Sequence, residues 1–359
     1  MLREGPVAAK AARPVMMGHM HTPTRRCPVA AAGLDLMIGN TPMLAIEYRL
    51  DGRPRTLYAK YEQRNMTGSV KDRMAAWIIS RAYESGELKP GDTIVEATSG
   101  NTGISFAAIG RALGHPVRIY MPNWMSRERV DLIRGFGAAV IPVSSEEGGF
   151  LGSIAKAEQF ARENPNVFLP RQFANLANTE AHECRTGPEI ERQLAVIGRQ
   201  ADAVVAGVGT GGTIMGLQRY LKSVNPALKA HPLEPANSPT LRTGCKIGKH
   251  RIQGISDEFV PAIIKLDELD EIIDAWDGDS ILLAQALSTQ LGLGVGISSG
   301  ANFLGAAQLV ERMGGDATVV TVLPDSNKKY LSTDLCRDEQ PGEHYLMPRI
   351  ELVGFRAIA

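Results

Sequence analysis

Short, continuously apolar runs alternate along this chain with longer stretches of helical character, and that alternation admits few architectures. Thr93–Glu96 precedes a glycine-containing turn and the helical Ile104–Leu113. Val117–Met121 precedes Ser126–Phe136, and Ala139–Val143 precedes Phe150–Glu163. Ala203–Ala206 precedes Ile214–Ser223, and Thr318–Leu323 closes the series. A strand that is apolar along its whole length needs cover on both faces, which a parallel sheet between helices supplies. The expectation is therefore α/β, with doubly wound parallel sheets. At 359 residues the chain outgrows one small core and suits two domains. Ligands of such sheets gather at the carboxyl ends of strands, and the glycine-rich segments lie there.

Composition removes several functions. Lys+Arg and Asp+Glu both number 39, so no overall field draws in nucleic acid or an anionic membrane. No apolar run reaches the roughly 18 residues of a membrane span. Cys27, Cys184, Cys245 and Cys336 lie far apart, with no Cys-x-x-Cys pair, so neither a disulfide framework nor a metal site is expected. A reducing, cytoplasmic setting fits. Residues 1–33 carry Arg3, Lys10, Arg13, Arg25 and Arg26 against Glu4 and read as a flexible arm or an organelle transit peptide. His21 stands near Cys27, but a polar arm of this composition is not expected to hold haem. The tail 336–359 ends in Ile350–Ala359, a late strand or an arm over a partner.

Three segments carry chemistry. Lys71 follows the small-residue turn Asn65–Val70 and precedes the helical run Met74–Tyr83. It is either a solvated charge in a first helical turn or, if desolvated, a nucleophile able to form a Schiff base with an aldehyde. Gly207–Thr213 joins an apolar run to a helix. Its glycines Gly209, Gly211 and Gly212 let backbone N–H groups approach an anion, with hydroxyls from Thr210 and Thr213. Lacking a P-loop lysine and Gly-x-Gly-x-x-Gly spacing, it suits a monophosphate better than a nucleotide. In Thr98–Gly103, Asn101 opens a helix, and Thr98, Ser99 and Thr102 offer donors either to a carboxylate or as helix caps.

Taken in order, these segments resemble the pyridoxal-phosphate (PLP) enzymes of the cysteine synthase and cystathionine β-synthase family. Ile38–Pro42, Gln172–Asn175, Thr186–Glu189, Gly296–Gly300 and Leu323–Ser326 extend the resemblance over most of the chain. It implies fold type II, as in tryptophan synthase β, with the cofactor between two domains. A smaller, mobile domain (61–180) would carry the substrate-carboxylate loop, and a larger one (34–60 plus 181–335) the phosphate loop. It further implies that Lys71 holds PLP and shuttles the Cα proton, and that Asn101 bonds the 3′ oxygen. Gly209, Thr210, Gly211, Gly212 and Thr213 would take the phosphate, and Thr98, Ser99, Thr102 and Gln172 the substrate carboxylate. Ser298 would meet the pyridine nitrogen. A serine hydroxyl is too weak an acid to protonate that nitrogen, which favours β-elimination through an α-aminoacrylate over transamination.

The family pattern breaks at Ile252–Pro261, where Asp257 and Glu258 replace small residues beside the nucleophile's entrance. These are either solvated surface acids or a charged entrance with a base for water or a thiol. A second departure is Met66, where the family has proline. The resemblance implies β-replacement on serine, an O-activated serine or cysteine. Cysteine synthesis from O-acetylserine and sulfide leads. Thioether formation with a thiol amino acid, serine formation with water, cysteine desulfhydration and a non-catalytic scaffold remain open. It also implies a homodimer and, as a partner, the C-terminal peptide of serine acetyltransferase.

Overall fold

The computed structural model describes Val29 and residues 33–359. The expected N-terminal arm and Cys27 therefore lie almost wholly outside the described residues. Among these, no helix is long and apolar enough to cross a membrane.

The strands in chain order are β1 (Met43–Leu50), β2 (Arg53–Tyr61), β3 (Thr93–Ala97), β4 (Val117–Pro122), β5 (Ala139–Val143) and β6 (Val167–Phe168). They continue with β7 (Ala203–Gly207), β8 (Lys229–Pro235), β9 (Ile273–Ala275), β10 (Val319–Leu323) and β11 (Ile350–Ile358). A seven-stranded sheet has the order β11-β1-β2-β10-β7-β8-β9, and a four-stranded sheet the order β5-β4-β3-β6. All pairs of the smaller sheet are parallel, as the apolar runs predict. In the larger sheet β2, β10, β7, β8 and β9 are parallel neighbours.

The larger sheet departs from the all-parallel expectation at one edge, where β1 pairs antiparallel with both β2 and β11. The cause is local. Asp51 and Gly52 sit between β1 and β2 with φ of 50° and 77°, the pair of positive φ values that a two-residue hairpin turn needs and that Asp-Gly supplies. The C-terminal segment is thus a late strand. Ion pairs Arg49–Glu351 and Arg349–Asp51 line this edge.

Alternate residues of β10 feed two cores: Val319 and Leu323 pack with Leu57 and Phe303 on one face, Val320 and Val322 with Tyr58 and Leu217 on the other. A separate core under the smaller sheet unites Ile94, Ile119, Phe106 and Ile79. Between the sheets runs a buried charge network. Lys60 Nζ lies 2.8 Å from Glu189 Oε2, and Arg73 meets Glu62 at 2.5 Å and Glu189 at 2.7 Å. Burial alone would raise the Glu62 carboxyl, but Arg73 outweighs it and holds the group down at about 2. Arg73 lies in the first turn of the helix Lys71–Ser85, so the network fixes where that helix begins.

Candidate functional site

Four chain segments converge on one cleft between the sheets. Lys71 is the first residue of its helix, and Val70 N–H donates to Pro324 O at 2.8 Å, tying that start to the segment after β10. The turn after β3 leads into the helix Asn101–Ala112, and the turn after β7 into the helix Gly212–Val224. Ser298 is the second residue of the helix Ile297–Arg312. The cleft is lined by Lys71, Thr98, Ser99, Asn101, Thr102, Gln172, Gly209, Thr210, Thr213, Asp257 and Ser298, together with Arg129, Gln253 and Tyr330. The sequence-predicted residues Gly211 and Gly212 lie behind this wall, and Glu258 faces an outer vestibule instead.

The turn after β7 is a tight cup. A Cβ on Gly209 would fall 2.5 Å from Gly254 O, and one on Gly212 would fall 2.0 Å from Asn178 Oδ1. Neither position has room for a side chain, and the helix start adds N–H groups with no intrahelical acceptor. Asn178 Nδ2 donates to Thr210 Oγ1 at 2.8 Å and anchors the cup from behind. His182 bridges Thr213 Oγ1 at 3.2 Å and Thr186 Oγ1 at 2.9 Å. Burial, with Arg73 second, pushes its imidazole down to about 3, so His182 is neutral. Neither Asn178 nor His182 was singled out in the sequence.

The turn after β3 is held from beneath. Thr102 Oγ1 donates to Gln172 Oε1 at 2.6 Å, and Gln172 Nε2 donates to Ala97 O at 2.8 Å. As arranged, Gln172 braces the loop with both ends of its amide. Its own N–H donates to Glu96 Oε2 at 3.1 Å. Burial pushes the Glu96 carboxyl up to about 7.

Lys71 is partly buried, and burial is the main cause that lowers its ammonium pKa, the direction a nucleophilic amine needs. Asp325 and Asp257 oppose that shift, while Lys329 reinforces it. Lys329 is itself buried and donates to Gly68 O at 3.2 Å. Asn101 Nδ2 donates to Asp325 Oδ2 at 2.6 Å, and Tyr330 O–H donates to the same oxygen. Asn101 Oδ1 and Asp325 Oδ1 are left buried without a hydrogen bond. Asp325 lay inside a matched segment, but neither its charge nor Tyr330 and Lys329 entered the reading of the sequence.

The loop after residue 252 delivers Asp257. Ser256 has φ of 54°, a left-handed conformation suited to glycine, and Ser256 N–H donates to Val208 O at 2.8 Å. The Ser256 hydroxyl bonds Thr240 Oγ1 at 2.9 Å, and the ring of His250 lies 2.8 Å from Ser256 O. This bracing holds a non-glycine residue in a costly conformation and turns the next side chain toward the cleft. Asp257 reaches both the cleft and the vestibule. Burial pushes its carboxyl up to about 6, and Lys71 pulls it back. Among the described residues, no group of three or more His, Cys, Asp or Glu is placed to hold a metal ion.

The family model described as pyridoxal-phosphate dependent enzyme matches residues 34–325. The chain is 42% identical over 299 residues to a probable cysteine synthase of Bacillus subtilis (strain 168), covering 83% of this chain and 96% of that protein. It is 54% identical to a hydrogen sulfide-producing enzyme of Fusobacterium nucleatum, with a TM-score of 0.87 over 89% of this chain and 96% of that one. A lysine-dimethylated Asp→Asn mutant of a hydrogen sulfide-producing enzyme, complexed with an α-aminoacrylate intermediate, superposes with a TM-score of 0.88 at 54% identity, again over 89% and 96%. With its two α/β sheets and a desolvated lysine in a cleft walled by the glycine-rich turn after β7, the chain belongs to the pyridoxal-phosphate-dependent enzymes of the cysteine synthase type.

Proposed function

We propose that the protein exchanges the thiol of L-cysteine for water, releasing hydrogen sulfide and forming L-serine. The residues fit the family's cofactor. The cup Gly209–Thr213 suits its phosphate, Lys71 its aldehyde carbon, and the orphaned Asn101 Oδ1 is a buried polar atom that a polar ring substituent would satisfy. Ser298 would face the ring nitrogen. When bound, PLP supplies an electron sink for negative charge at Cα.

The chain's own groups account for the rest. The Thr98–Thr102 turn, braced by Gln172, would hold the substrate carboxylate at a helix N-terminus. Lys71 Nζ would take the Cα proton and later return it. The Cβ–S bond breaks with its electron pair on sulfur, which leaves as hydrosulfide and gains a proton. Asp257 would then remove a proton from water as the water oxygen bonds to Cβ.

Asp257 is the observation that carries this reading. A carboxylate, ionised above about pH 6, faces the cleft where a second nucleophile must enter. It repels hydrosulfide, which favours departure over capture, and it suits water. The similarity to a hydrogen sulfide-producing enzyme supports the same direction. A second reading, cysteine formation from O-acetylserine and sulfide, is supported by the similarity to a probable cysteine synthase. A homodimer, a cytoplasmic setting and a serine acetyltransferase peptide as partner extend that second reading. The test is incubation with L-cysteine in ¹⁸O-labelled water, with sulfide and amino acids quantified. Labelled serine matching released sulfide is expected. Pyruvate instead of serine, or turnover of O-acetylserine with sulfide at far higher kcat/KM, would overturn the assignment.

A further inference from the structure

Arg129 stands where the cleft meets the vestibule, and the chemistry assigned so far makes no use of it. The inner cleft encloses about 50 Å³ of free volume and the vestibule about 410 Å³. Ser99, Arg129, Gln253, Gly254, Ile255 and Asp257 line both and form the neck between them, with Arg129 bonded across it to Gln253. Arg129 is 4% exposed, and among the described residues it forms no ion pair. Nε donates to Ser126 Oγ at 2.9 Å, Nη1 to Ser99 O at 2.8 Å, and Nη2 to Gln253 Oε1. The guanidinium lies over the Tyr330 ring at 5.4 Å. A guanidinium has five N–H donors, so the three bonds that hold it leave it capacity for an anion. The packing is specific, since a Cβ on Gly100 would fall 2.3 Å from Arg129 Cδ.

The bond to Gln253 is the one that joins two parts of the fold. It crosses from the helix Arg127–Gly135 of the smaller sheet's layer to the loop that carries Asp257. It is also a charged donor on a neutral acceptor, whereas a carboxylate accepts from guanidinium in a stronger, often bidentate pair.

We propose that Arg129 and Gln253 form a gate at the neck, opened when the incoming amino acid places its α-carboxylate on the Arg129 guanidinium in exchange for the Gln253 amide. Arg129 is then a docking site for the substrate carboxylate ahead of the Thr98–Thr102 turn. The gate closes again behind the substrate as Gln253 returns. The inference rests on the reading that the substrate is an amino acid, but not on which group leaves Cβ.

The experiment is stopped-flow mixing of the holoenzyme with L-alanine, which has the carboxylate and amine but no leaving group, and with L-alaninamide, which has no carboxylate. The change in the visible band of the bound cofactor gives a second-order association rate constant at low ligand and a limiting rate at saturation. Gln253→Glu puts a carboxylate on the latch, and should lower the association rate constant for L-alanine about tenfold or more, the difference between a guanidinium bond to a neutral amide and a paired guanidinium–carboxylate. The limiting rate should stay within about threefold, and entry of L-alaninamide should be slowed far less. Gln253→Ala should not slow L-alanine. Arg129→Lys, which keeps the charge but not the fork, should lower association of L-alanine and leave L-alaninamide little changed. Equal slowing of both ligands, or unchanged association in every variant, overturns the gate. No response of the wild-type protein to L-alanine would instead overturn the amino-acid reading beneath it.

Discussion

Arg73 Nη2 lies 2.7 Å from Glu189 Oε2, joining the first turn of the Lys71 helix to the helix Gly187–Val196 through a side chain that is only 2% exposed. Glu62 and Lys60 complete the cluster, so two buried acids meet two buried bases. Such a set is costly to assemble and costlier to break, because removing one member strands an unpaired charge. Arg73→Met should therefore lower unfolding free energy by about 3–5 kcal/mol. Chemical denaturation measures it, and a loss below about 1 kcal/mol would show that the network contributes little to anchoring the Lys71 helix.

The parallel part of the fold was legible because apolar strands and helices differ in period, and β3, β4, β5, β7 and β10 lie within a residue or so of their expected bounds. Apolar runs do not reveal the β1–β2 hairpin, because strand ends such as Arg53–Arg55 are polar; its signal in the sequence is the turn pair Asp51-Gly52. At the site, residues in glycine-rich turns were legible because their chemistry is local. Arg129, Asp325, Tyr330 and Lys329 were not, because each acts across a distance in sequence. Asn101 and Asp325, for example, are separated by 224 positions, and no spacing rule connects them.

Lys71→Ala should remove the borohydride-reducible cofactor adduct and turnover while leaving the fold intact, as judged by circular dichroism. Peptide mapping of the reduced wild-type protein should place the label on Lys71. Label on Lys329, the other buried lysine near it, would reassign the anchor.

Ser298 is buried at a helix start inside the cleft. Ser298→Asp would set a carboxylate against the ring nitrogen and strengthen the electron sink. Slow transamination of L-alanine, read as pyruvate, should rise several-fold, and the share of turnover going through β-chemistry should fall. Unchanged pyruvate would mean that residue 298 does not face that nitrogen.

His182 gives the fold an acid-sensitive point. An unfolded imidazole takes a proton near pH 6.5, but burial keeps the folded one from doing so until about 3. Between those values the unfolded chain binds more protons, so this contribution is intact above pH 6.5 and drains as the pH falls toward 3. Unfolding midpoints at pH 7.5 and 5 should therefore differ less in His182→Gln than in the wild type. An equal drop in both proteins would show that His182 does not set the acid limit.

Asp257 offers the sharpest separation of the two halves of the reaction. In the proposed reaction, loss of the Cβ substituent needs no incoming nucleophile, whereas the capture that follows needs water deprotonated. Asp257→Asn should leave the first phase within a few-fold and slow the second by about 10²–10⁴-fold, the usual cost of losing a general base. Burial raises this carboxyl from 3.8 to about 6, so the second phase of the wild type should weaken as the pH falls through 6, and the Asn variant should lack that inflection. Glu258, which lines only the vestibule, should give a much smaller effect as Glu258→Gln. Single-turnover absorbance with L-cysteine resolves both phases in one trace. If the second phase is unaltered in Asp257→Asn, the carboxylate activates no water, and the loop's departure from the family pattern serves some other end.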